Sequence, residues 1–204
     1  IFDLLYPSYG DTYPMYNGAV GMTYEQGGSG RGGLEVINET GKELTLEDRL
    51  IHHHTSGIST VEESAKRYLD LIKENHAFYK NQEFDYKSYV LFGEKDKIKQ
   101  LTELLDAHEI AYSFGTSGNV KGFRYSLNEK GSHQIENRDL IVSTNQKKGT
   151  LVNVLFEPKT KLSDSLTYDI TAWSLPYAYG LDAIASESEI TGSTIKQMPL
   201  INTL

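Results

Sequence analysis

Apolar and polar positions recur with two different periods along this chain. Between residues 59 and 79, Val61, Ala65, Tyr68, Leu69 and Ile72 return every three or four positions. That is the spacing of an amphipathic helix. Lys66, Arg67, Asp70, Lys73 and Glu74 fall mostly on the other face. Ser59 stands three residues before Glu62 and Thr60 three before Glu63, so either pair can form a capping box at the start of a long helix over 59–79. Its apolar stripe should pack against a sheet or a second helix. A short helix is predicted over 44–54. The first 43 residues read differently: Tyr6-Pro7, Tyr9-Gly10-Asp11, Tyr13-Pro14 and Asn17-Gly18 carry turn chemistry. Among them, Ala19 to Glu25 reads as a short strand on its β-branched and aromatic content, ended by the glycine run Gly27 to Gly33.

Residues 80–87 are polar and aperiodic, which places a domain boundary there. Beyond it the pattern restarts as a strand at Ser88–Phe92, a helix over Glu94–His108 with Ile98, Leu101, Leu104 and Leu105 on one face, and a strand at Ile110–Phe114. A strand–helix–strand unit implies parallel pairing through a right-handed crossover. Further strands are expected at Phe123–Leu127, Leu140–Thr144 and Leu151–Phe156. The last is apolar enough to be central in a sheet covered on both faces, with Pro158 closing it. The fold class is therefore α/β, with an N-terminal α/β segment over 1–80 and a small α/β domain with a mixed sheet over 81–204. The stretch Ser186–Leu204 is expected to be an extended tail.

Composition narrows the chemistry. The 204 residues carry 20 basic and 28 acidic side chains, a formal charge of −8. Nucleic-acid binding needs a basic footprint that such a balance does not supply. With no cysteine, disulfide scaffolds, thiol nucleophiles and thiolate metal sites are excluded. No apolar run approaches the ~20 residues that span a bilayer. The opening lacks an initiator Met and the features of a signal peptide, which points to a processed product or a fragment.

Gly28-Ser29-Gly30-Arg31-Gly32-Gly33 satisfies G-x-G-x-x-G, but dinucleotide binding requires a helix N-terminus behind the loop, and a turn signal at Asn38–Gly41 occupies its place. His52, His53 and His54 are adjacent, so on a helix they point about 100° apart and cannot converge on one ion. His133 and Glu136 have H-x-x-E spacing without an evident third ligand. No G-x-S-x-G elbow is present, and Asp164 and Asp169 are a pair without context. Glu25 is the remaining signal. At the end of an apolar strand it would be partly buried, which raises a carboxyl pKa and suits a general base.

The segment from Tyr6 through Asn17-Gly18-Ala19-Val20-Gly21-Met22-Thr23-Tyr24-Glu25 to Leu34 resembles the second half of the catalytic domain of zinc carboxypeptidases, the carboxypeptidase A-like metallopeptidases, and most of all their large bacterial branch. Leu44 to His54, the helix at 59–79 and Leu166 to Gly180 are similar to the same branch. The resemblance implies that Thr23-Tyr24-Glu25 is the strand bearing the general base, with Glu25 deprotonating a zinc-bound water and passing the proton to the leaving amine. It also implies a mobile tyrosine that closes over the peptide substrate, for which Tyr6, Tyr9 and Tyr13 are candidates. The family's zinc ligands, H-x-x-E and a later His, lie upstream of the base, yet the 24 residues before Glu25 contain no His. The family's substrate-carboxylate arginines are also upstream and missing. The resemblance thus implies a fragment of a zinc metallocarboxypeptidase that supplies the base but not the metal ligands. Zinc belongs to the parent enzyme, none is expected on this chain, and the chain alone should be inactive.

The alternative is a non-catalytic binding or structural α/β module centred on residues 85–185. A more distant one is a small-ligand domain of flavodoxin-like type. No nucleic-acid or membrane partner is expected. Removal of strand 19–25 from a larger sheet would expose an apolar edge, so self-association, or cover from the second domain, is anticipated. Secretion or a periplasmic location follows only from the family resemblance.

Overall fold

The computed structural model describes residues 6–26, 34–80, 82–160, 174–193 and 195–196. The glycine run, Asp164, Asp169, residues 166–173 and the tail beyond residue 196 lie outside these residues; the earlier part of the tail, expected to be extended, instead joins the sheet, with Ile195 and Lys196 paired to Ser113 and Tyr112 and Ile190 against the core.

The N-terminal region is helical and nearly coreless. A one-turn helix α1 (Thr12–Met15) leads into residues 20–26, which form no strand, and then to a small antiparallel ladder of β1 (Glu35–Ile37) and β2 (Glu43–Thr45). Thr45 caps helix α2 (Leu46–Lys66): its hydroxyl accepts from Asp48 N at 3.1 Å while Asp48 Oδ2 accepts from Thr45 N at 3.0 Å. This reciprocal box sits about four turns upstream of the expected Ser59 and Thr60 caps. Thr60 lies mid-helix, where its hydroxyl donates to Ser56 O at 2.7 Å. The two helices expected at 44–54 and 59–79 are instead one 21-residue helix running through Gly57 to a break at Arg67, then α3 (Tyr68–Lys80). A mid-helix glycine costs only about 1 kcal/mol, too little to divide a well-capped helix.

The apolar stripe of these helices has no cover among the described residues. Leu50, Ile51, Ile58, Val61, Tyr68, Leu69 and Ile72 are all exposed, Val61 by 67% and Leu50 by 62%. The packing of this stripe against a sheet or a second helix, expected from the pattern, is not found among the described residues.

Beyond the connector 82–87 the chain builds a different kind of unit. Strand β3 (Ser88–Phe92), helix α4 (Lys95–Ala107) and strand β4 (Tyr112–Phe114) are followed by a hairpin of β5 (Gly118–Arg124) and β6 (Glu129–Ile135). Strand β7 (Leu140–Ser143), helix α5 (Gly149–Phe156), one-turn α6 (Leu175–Ala178), β8 (Asp182–Ser186) and β9 (Ile195–Lys196) complete it. The sheet order is β6-β5-β8-β3-β7-β4-β9, with every pair antiparallel. The α/β content is as expected; the mixed sheet is not. Strands β3 and β4 do run in the same direction, but β7 lies between them and hydrogen-bonds to both, which gives a split β-α-β topology instead of a parallel pair. The four central strands with α4 and α5 form the β-α-β-β-α-β arrangement called ferredoxin-like, with the β5–β6 hairpin added at the β8 edge.

Residues 151–156, expected as a strand, belong to α5. Leu151, Val152, Val154 and Phe156 are all buried. A short run that is apolar all round fits a buried helix as well as a buried strand, and periodicity does not separate them. The strand expected at 123–127 ends at Arg124, and Tyr125 to Asn128 turn the hairpin, with Asn128 at φ 53°. Gly122 lets this hairpin cross the sheet: a Cβ there would stand 2.0 Å from Ala185 O.

Alternation along the strands produces two cores. Tyr89 and Leu91, Leu140 and Val142, and Ala183 and Ala185 face α4 and α5, where Leu101, Leu105, Leu151 and Phe156 meet them. Val90, Ile141 and Ile184 face the other way and are covered by Val120 and Ile135 of the hairpin and by Ile190.

Candidate functional site

Residues 22–26 lie along α2 with alternate side chains engaged. The Tyr24 hydroxyl is 2.6 Å from Thr60 Oγ1, and Gln26 Oε1 is 3.0 Å from His52 Nδ1. Just before Tyr24, Thr23 Oγ1 donates to Asp11 Oδ2 at 2.5 Å. Met22 and Tyr24, together with Thr60, Glu63, Arg67 and Leu71, line an open groove of about 500 Å³.

Glu25 is exposed and makes no hydrogen bond or ion pair among the described residues. It does not line that groove. The burial expected from a strand end is absent, because no strand forms around it. Its neighbours on both sides are pinned, so the segment is held while the carboxylate stays unengaged.

The three candidate tyrosines separate. Tyr6 and Tyr9 form an edge-to-face pair with ring centroids 5.0 Å apart. Tyr13 is committed elsewhere: its hydroxyl is 2.7 Å from His108 Nδ1, at the C-terminal end of α4, and its ring packs against the helix-side core. Near it, Lys148 Nζ donates to Asn17 Oδ1 at 2.7 Å, the Tyr79 hydroxyl donates to Asn17 O at 2.7 Å, and Asn75 Nδ2 donates to Gly18 O at 2.8 Å. Gly18, at φ 76°, sits under Phe78, which a Cβ would meet at 2.9 Å. Residues 13–18 therefore join α3 to the sheet domain.

Of the histidines singled out by sequence, His52, His53 and His54 are all exposed on α2. His133 and Glu136 are not brought together as ligands. His133 stacks on Phe92 at 3.6 Å, and its Nε2 lies 2.7 Å from Asp139 Oδ2. Glu136 instead pairs with Arg138 at 3.0 Å. Among the described residues no group of three His, Cys, Asp or Glu side chains could hold a metal ion, and no helix is long and apolar enough to cross a membrane.

Several polar groups that the sequence does not flag become conspicuous. Burial and the nearby Lys148 cation hold the His108 imidazole below its ordinary pKa. Asp182 is ion-paired to Arg124 at 2.7 Å and accepts from the Ser126 hydroxyl at 2.8 Å. Burial pushes its carboxyl up, but the hydrogen bonds from Ser126, Arg124 and Ala183 N together outweigh that and leave it below the usual range. Arg124 and Asp182 are far apart in sequence and share no motif, so no spacing signal could have paired them.

Comparison with protein-family models, with curated proteins and with solved structures finds no match.

Proposed function

We propose that this chain is the C-terminal portion of a zinc-dependent metallocarboxypeptidase catalytic domain, one that hydrolyses peptide bonds, joined to an accessory split β-α-β domain. The observation that carries this reading is the contrast between the two regions. The described strands and helices from Ser88 to Ser186 close a core on each face of their sheet, whereas the apolar stripe of α2 and α3 has no cover among the described residues. A contiguous apolar face of that length marks a surface meant to be covered, and the rest of a peptidase domain would cover it.

Glu25 is the residue assigned as general base. Hydrogen bonds on both sides hold its segment and leave its carboxylate free to take a proton and hand it on. By the resemblance, the metal and its ligands belong to other polypeptide of the parent domain, and no step through the metal is derived for this chain. Tyr6 and Tyr9, paired edge to face, are the candidates to close over a peptide substrate; Tyr13 is held by His108. By the same resemblance the parent enzyme is exported.

The test extends the reading frame upstream and assays the longer protein. It should encode H-x-x-E and a later His, and release C-terminal residues from peptides in a chelator-sensitive manner. Glu25→Gln should then lower kcat by about 10²–10⁴-fold with zinc content unchanged. An extended protein without those ligands, full turnover in Glu25→Gln, or chelator-sensitive turnover by the 204-residue chain alone would each overturn the proposal.

A further inference from the structure

A second groove, of about 500 Å³, opens where the end of α3 meets the connector and the β7–α5 loop. Lys80, Lys87 and Lys147 line it, and none of the three has an acidic partner among the described residues. The one acidic residue in its wall, Glu189, accepts from Asn145 Nδ2 at 3.1 Å. In a chain of formal charge −8 this is a local reversal of sign. Three ammonium groups around one cleft repel one another, and a cleft focuses that field on whatever enters it.

The polar groups of the wall are mostly spent. Gln146 is bound through both ends of its carboxamide to Ala111, at 2.7 and 3.0 Å, and the Thr144 hydroxyl donates to Tyr86 O at 3.1 Å. Gln82 is the exception. Its Nε2 is buried and has no hydrogen-bond partner. The carboxamide is packed over the first turn of α5, where a Cβ on Gly149 would lie 2.6 Å from Gln82 Oε1. A buried donor without an acceptor is costly and rare in folded proteins.

We propose that this groove binds a small polyanion bearing phosphate or carboxylate groups, held by the ammonium groups of Lys80, Lys87 and Lys147. Lysines act as mobile point charges with no fixed fork, which suits a multiply charged anion better than a single planar carboxylate. Tyr79 and Phe84 give the groove apolar walls against which the ligand's carbon frame can rest. The site draws on α3, the connector and the β7–α5 loop together, so its ligand would tie the helical region to the sheet domain. The inference stands apart from the peptidase reading.

Calorimetric titration of the full 204-residue chain with inorganic pyrophosphate, and separately with citrate, tests it. Saturable one-to-one binding that weakens with added salt is expected, and the stronger of the two arms identifies phosphate or carboxylate as the recognised group. The double variant Lys87→Gln, Lys147→Gln replaces exposed side chains and should fold normally, yet bind about tenfold or more weakly. Gln82→Glu, which puts a negative charge where the donor was, should weaken binding further. Absence of saturable binding to both anions, or wild-type affinity in the double variant, overturns the proposal.

Discussion

At the scale of single residues, the structure is governed by close approaches that no local pattern announces. Gly122 accepts no side chain without a shift because Ala185 O lies 2.0 Å from where a Cβ would stand. Gly122→Ala should therefore destabilise the sheet domain by about 2 kcal/mol or more, through displacement of the hairpin, read as a lowered unfolding temperature; an unchanged temperature would contradict the close crossing. His108 gives a pH dependence. Its pKa is lowered in the folded chain, so the unfolded chain binds the extra proton first. The stability that comes from keeping this partly buried imidazole neutral beside Lys148 is thus complete above the ordinary imidazole value of about 6.5 and declines as pH falls below it. Thermal unfolding followed from pH 8 to 5 should show this loss, and His108→Phe should remove it. Glu25, by contrast, was legible as a candidate from its neighbours in sequence, but not its exposure, which depends on residues 20–26 failing to pair.

At the scale of elements, periodicity was a good guide to the long helices and a poor guide to where they begin and end. The helical period across 44–79 was visible, yet its start lies at the Thr45–Asp48 box, since Thr45 is followed by an acid able to reach back. Thr45→Ala should cost about 1 kcal/mol of local helix stability, measured as faster amide exchange over residues 46–49. Because α2 is scarcely packed, little of that loss should reach the sheet. Leu101→Ala in α4 should behave oppositely, costing about 2–5 kcal/mol globally, since Leu101 is fully buried in the helix-side core. Leu151–Phe156 shows why the remainder was illegible. Six nearly all-apolar residues have no polar face to betray a period, and only their position beneath Tyr89 and Tyr125 makes them a helix.

At the scale of the whole molecule, the decisive fact is the uneven distribution of core. The sheet domain is closed on both faces, while the α2–α3 stripe lies in solvent. The chain alone should therefore self-associate, now through this helical face and not through the strand edge expected from residues 19–25. Light scattering should show mass rising with concentration, and Leu50→Glu with Val61→Glu should suppress it while changing stability by no more than about 0.5 kcal/mol each. A monomer at high concentration would argue that the stripe is covered in solution. The sequence alone determined the α/β character and the helix-forming tracts across 44–79 and 94–108, because these rest on composition and on contacts within a few residues. Tertiary structure alone decided the antiparallel order with β7 between β3 and β4, the helical state of α5, the commitment of Tyr13 to His108 and the charge of the lysine-lined groove. Each of these depends on residues distant in sequence meeting in space, where burial and pairing outweigh local preference.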